Sequence, residues 1–146
     1  MSHDPFGNLE DWGRVLATLE KATEEGRLDE VQPGLIRLLR YRDNWRIREH
    51  TLNAARRVEN PSDALVSAVL DVLLDETTFV DARILAAKAL GHIGCRGGRV
   101  NGTAVTKAPS LRAVLISQLA RPSAPVLTHA IEEAIRKLDQ VNVTAG

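Results

Sequence analysis

The chain has 146 residues, 44% of them hydrophobic and 26% charged, which suits one compact globular domain and leaves little for a second. Nineteen basic and nineteen acidic side chains cancel, so net charge gives no sign of a nucleic-acid or membrane protein. No apolar run approaches the ~18 residues of a membrane span, and the acidic N-terminus has neither the basic region nor the apolar core of a signal peptide, so the expected address is cytoplasmic.

A lone Cys95 forms no internal disulfide, and His3, His50, His92 and His129 lack zinc-ligand spacing, so neither a metal nor a cofactor is expected. Aromatics are 3%, and Leu, Ala, Val and Ile alternate with Arg and Glu, an alphabet of helix formers. The expected class is all-α.

In chain order, Trp12, Val15, Leu16, Leu19 and Ala22 form one helical stripe that Gly26 stops, predicting a first helix over 8–25. Leu28 to Leu39 gives a second helix, kinked or started at Pro33, and Asp43 and Asn44 break it and can cap the next. Trp45 to Val58, with Ile47, Thr51, Leu52, Ala54, Ala55 and Val58 on one face, forms an arginine-rich third helix closed by Asn60-Pro61-Ser62. Two more are predicted over 62–74 and 79–93, the latter closing on Gly91 and Gly94. The pattern resumes over 110–120 and 125–138, with Pro122 and Pro125 in the turn.

An internal period organises these helices. Ile47, Arg48, Thr51, Ala55 and Val58 superpose on Ala82, Arg83, Ala86, Leu90 and Ile93 with a constant offset of 35. A further shift of 44 reaches Val126, Ala130 and Ala134, where the match decays because Lys137 falls at the position of Ile93. Each unit is a helical hairpin whose apolar face cannot be buried alone, so neighbours must stack and the ends need caps, the first helix being the N-terminal one.

The segment Ala82-Arg83-Ile84-Leu85-Ala86-Ala87-Lys88-Ala89-Leu90-Gly91-His92-Ile93-Gly94 resembles the second helix of a HEAT repeat, and Leu73-Leu74-Asp75 matches the approach to it. The resemblance covers 35–94 well and 110–139 loosely. The first hairpin departs with Ala55-Arg56 where the family prefers Leu-Gly, and the third with Leu127 where Arg would stand. It implies a short right-handed α-solenoid of about three HEAT-like hairpins (about 28–58, 62–94 and 110–139), with second helices lining a concave face. It also implies that Arg48 and Arg83 pair with an Asp of the helix joint, Asp43, or Asp75 and Asp81. Trp45, aligned with Val80, is expected as a wedge between hairpins, while Trp12 and Tyr41 are left between burial and exposure.

Charge is blocked along the chain. No acid occurs from 82 to 131, a span with seven bases, while 59–81 holds six acids and no base. Such blocks usually form solvated faces or attract each other between hairpins; the alternative is a basic patch for an acidic partner or a phosphate. Within the span, 95–109 carries glycines and no apolar period and is predicted to be a loop, mobile and ligand-free in its plainer reading, long enough to be functional in the other.

No nucleophile elbow, His-Glu-x-x-His or paired cysteine is present, so no catalytic residue is assigned and an enzyme is not expected. The expected function is a protein-binding scaffold or adaptor. Its partner would meet the columns Asn53, Lys88 and Glu132 and Arg57, His92 and Arg136, or the loop bases Arg96, Arg99 and Lys107. Two alternatives come with the resemblance. One is a nucleic-acid-backbone binder like the HEAT-like DNA glycosylases, against which the neutral pI weighs. The other is an accessory subunit of a cofactor-attachment or other enzyme system.

Overall fold

A computed structural model of the protein describes residues 4–96 and 107–145, the side chains of 95, 96, 107–110 and 141–145 excepted. The described residues are helical, with no strand. The helices are α1 (Trp12–Glu24), α2 (Gln32–Arg40, entered through a 3-10 turn at Leu28–Val31), α3 (Trp45–Ala55), α4 (Asp63–Leu74), α5 (Val80–Arg96), α6 (Lys107–Leu119) and α7 (Pro125–Ala145).

Their ends follow from local chemistry. Gly26 takes the left-handed conformation (φ 67°), and the Arg27 N–H reaches back to the Ala22 carbonyl, closing α1 as only a residue tolerant of positive φ can. Asn44 Oδ1 accepts from the Arg46 N–H at 2.9 Å and Ser62 Oγ from the Leu65 N–H at 3.1 Å, capping α3 and α4. Pro33 sits in the first turn of α2, where its missing N–H costs nothing.

Several boundaries differ from the sequence reading. Helix α1 begins at Trp12 and not at 8, because Asp4 to Glu10 form a separate strap whose Phe6 is buried. Gly34 makes room for it: a Cβ there would stand 2.6 Å from the Phe6 ring. Arg37 fastens the strap through both carboxylate oxygens of Asp4, at 2.6 and 3.0 Å. Helices α5 and α6 run into the expected loop from both sides, to Arg96 and from Lys107. Residues 97–106, Arg99 among them, lie outside the described residues.

The pairs α2–α3, α4–α5 and α6–α7 pack as hairpins; α1, α3, α5 and α7 pack in succession, as do α2 and α4. Leu90 and Ile93 are fully buried, and Ala82, Ala86, Ala87 and Ala89 let neighbours come close to α5. A Cβ on Gly91 would meet the Ala134 backbone at 3.2 Å, so α5 and α7 touch almost backbone to backbone.

Burial also corrects the register of the last helix. Val126, aligned with Ala82 by the shift of 44, is 61% exposed, whereas Leu127, Ile131 and Leu138, which stand 45 after Ala82, Ala86 and Ile93, are buried. Ala130 and Ala134 are buried as well, which is why the sequence allowed either shift.

Arg48 and Arg83 occupy equivalent positions, as the period requires, but their partners are not aspartates. Arg48 Nε donates to the Leu39 carbonyl at 3.1 Å and Arg83 Nε to the Leu73 carbonyl at 2.8 Å. Each guanidinium thus satisfies a carbonyl left open at the end of the preceding helix, where positive charge is also favoured. Neither is ion-paired with Asp43, Asp75 or Asp81 among the described residues. The Asp75 carboxylate instead accepts from the Thr77 hydroxyl and N–H and from Arg42. Those bonds, Thr77 first, hold it well below the usual carboxylate range.

Candidate functional site: an open groove along alternate helices

The succession α1, α3, α5 leaves an open groove of about 1320 Å³. One wall is α1, with Leu16, Glu20, Thr23 and Glu24; the other is α3, with His50 and Asn53, and the turn after it, with Arg56, Arg57 and Glu59; His92 of α5 completes it. Leu16, Glu20 and Glu24 fall four apart on α1 and share one side of that helix, while Asn53 stands in the last turn of α3 and Arg57 in the turn that follows it.

Three of the sequence candidates, Asn53, Arg57 and His92, therefore meet at one site. Lys88 is exposed one turn before His92 on α5 but does not line the groove. Arg96 and Lys107 lie at the ends of α5 and α6 with side chains outside the described residues, and Arg99 is outside them altogether.

His92 is held from both sides. Its Nε2 lies 3.2 Å from Arg56 Nη2 and 3.0 Å from Lys137 Nζ. Guanidinium and ammonium groups only donate, so the two cations share the single lone pair that Nε2 can offer. The contact ties α3, α5 and α7 in one line of polar side chains. Lys137 was missed from the sequence because the shift of 44 put Arg136 in the His92 column; with the shift of 45 Lys137 takes that place and Glu133 replaces Glu132 beside Lys88. Arg136 turns instead to Glu133 at 2.6 Å.

The basic span 82–131 is drawn into intramolecular contacts. Arg83 bonds a carbonyl, Arg112 pairs with Asp139 at 2.7 Å, and Arg121 reaches Glu76 at 3.3 Å. The Arg112 guanidinium lowers the Asp139 carboxyl and is itself raised, both effects led by the shared hydrogen bond. Of these, Arg121–Glu76 joins the basic span to the acidic block of a neighbouring hairpin.

Among the described residues no cluster of histidine, cysteine or carboxylate side chains could hold a metal ion, and no helix is long and apolar enough to cross a membrane. The groove presents charged side chains, the Asn53 amide and the apolar Leu16, Leu19 and Ala54. Neither a protein-family model nor a curated protein nor a solved structure matches the chain.

Proposed function

We propose that the protein is a non-enzymatic interaction module, a short α-solenoid of three HEAT-like hairpins that takes a segment of a partner protein into the groove between α1, α3 and α5. The observation that carries this reading is the groove itself. At about 1320 Å³ it exceeds the 300–1,000 Å³ of an ordinary small-molecule pocket, and it opens to solvent. Two further features support the repeat architecture behind it: the equivalent carbonyl-bonded arginines Arg48 and Arg83, and the packing of alternate helices in succession. Glu20, Glu24 and Glu59 in the groove weigh against a nucleic-acid backbone as occupant.

Affinity capture from a host extract tests it, comparing wild type, Arg57→Glu and the triple replacement of Arg96, Arg99 and Lys107 by Ser. Captured proteins should be lost with Arg57→Glu and kept with the triple variant, and heparin retention across a salt series should be weak in all three. Capture that depends on the loop and not on Arg57 would move the site to the loop; strong salt-dependent heparin retention would favour nucleic acid.

A further inference from the structure

The chain has five aromatic residues, and three of them are at the surface. Phe79 is 72% exposed and Trp45 is 53% exposed, with Val80 and Val126 also exposed. They share one end of the helices. Trp45 opens α3, Phe79 and Val80 open α5, and Val126 opens α7. The joints that carry them lie side by side, since Arg42 of the first binds Asp75 of the second at 2.7 Å and Glu76 of the second meets Arg121 of the third at 3.3 Å. Apolar side chains therefore run in a stripe along consecutive joints, in a protein whose remaining large apolar residues are mostly interior.

The stripe also has a charge order. The offset of 35 that superposes Trp45 on Val80 superposes Arg46 on Asp81, so equivalent positions in successive hairpins carry opposite signs beside bulky apolar groups. The Arg46 guanidinium lies 5.5 Å from the Trp45 ring centroid and Asp81 is exposed in the first turn of α5. Neither makes an ion pair with a described residue.

We propose that this stripe binds a second copy of the same chain, antiparallel about a two-fold axis between the first two joints. Trp45 and Arg46 of one copy then meet Phe79, Val80 and Asp81 of the other, and the reverse contact follows from the symmetry. A surface with opposite charges at repeat-equivalent positions is complementary to itself only in that orientation; a parallel pairing sets Arg46 against Arg46. A net charge of zero adds no long-range repulsion. The three exposed apolar side chains that each copy brings to this contact, Trp45, Phe79 and Val80, fall short of the ~800 Å² per partner of a standard interface, so the dimer is weak, with a Kd on the order of tens to hundreds of micromolar. The surface is distinct from the groove and stands whether or not the groove binds a partner.

Sedimentation equilibrium of the purified chain from about 5 to 500 µM tests the proposal, and it should show reversible dimerisation. Phe79→Ser, which removes two rings per dimer, should raise the Kd about tenfold or more. Arg46→Glu and Asp81→Arg should each weaken self-association by several fold, and an equimolar mixture of the two should regain it, because each contact then again pairs opposite charges. The mixture decides the matter even if Phe79→Ser were to disturb folding. A monomer at every concentration overturns the proposal and leaves the stripe to a different partner. So does a dimer indifferent to Phe79, or a mixture no tighter than either charge variant alone.

Discussion

The two ends of the helices are finished in opposite ways. At the turn end, where the α1–α2 and α3–α4 connections meet, Asp29 accepts from the N–H groups of Glu59 and Asn60 at 2.9 and 2.7 Å. The buried Gln32 amide donates to the Asn60 carbonyl at 2.9 Å and accepts from the Ser62 N–H at 2.8 Å. Backbone groups of the turn thus find side-chain partners, and Val58 and Pro61 are buried beneath them. At the joint end the ties are more exposed, and the large side chains Trp45, Phe79 and Val126 face solvent. At one end side chains bond the backbone of the turn, and at the other apolar surface stays open. The first is an arrangement for stability, the second for contact.

That division orders what substitutions should do. The largest loss is expected from the interior common to both ends: Leu90→Ala or Phe6→Ala should cost about 2–5 kcal/mol in urea unfolding, Phe6 in the upper part of that range, because each empties a filled site. A loss under about half a kcal/mol at Leu90 would mean that the stacking of hairpins is misassigned.

At the turn end, Gln32→Ala should cost about 1–3 kcal/mol, since it removes a buried amide that bonds both a carbonyl and an N–H of the turn. Gln32→Glu sharpens the point, because it keeps the acceptor for Ser62 and loses the donor to Asn60; a stability equal to wild type would show that the donor bond contributes nothing.

The joint end has a pH signature. The Asp75 carboxyl is lowered in the folded protein, so it contributes stability that is fully present above the unfolded aspartate value near ~3.9 and is lost as pH falls from there toward its folded value. Thermal midpoints measured from pH 7 down to pH 2 should therefore fall more steeply for wild type below about pH 4 than for Asp75→Asn. Parallel curves would remove Asp75 from the account.

Much of the helical order was legible in the sequence, and the reasons are local. Gly26, Asn44 and Ser62 act on their own turns, and the apolar stripes identify buried positions such as Ile47, Leu52, Ala86 and Leu90. What was not legible depended on distant partners. The Asp4-Pro5-Phe6-Gly7 strap has no period, and its place is made by Gly34, nearly thirty residues away. The position of Arg48 and Arg83 could be read from the repeat, but a guanidinium can donate to a carbonyl as well as to a carboxylate, and only the geometry of the joint selects the carbonyl. Trp45 is not the wedge its alignment with Val80 suggested, because a repeat position says where a side chain sits and not whether the next hairpin covers it. In α7, alanines buried under either shift hid the register that brings Lys137 to His92. Of the candidate site, Asn53, Arg57 and His92 were found from the repeat columns, whereas the acidic wall of Glu20 and Glu24 was not, since the period does not extend to α1.

The contrast between a closed end and an open one is tested most directly by urea unfolding of Phe79→Ser at a few micromolar, below the expected dimer range. Phe79 has little to lose on truncation if it faces solvent, so the account predicts a stability within about 0.5 kcal/mol of wild type, while Gln32→Ala under the same conditions falls by 1 kcal/mol or more. A loss of about 2 kcal/mol or more from Phe79→Ser would show that the ring is packed in the folded monomer, and would contradict the reading of the joint end as a surface kept open for contact.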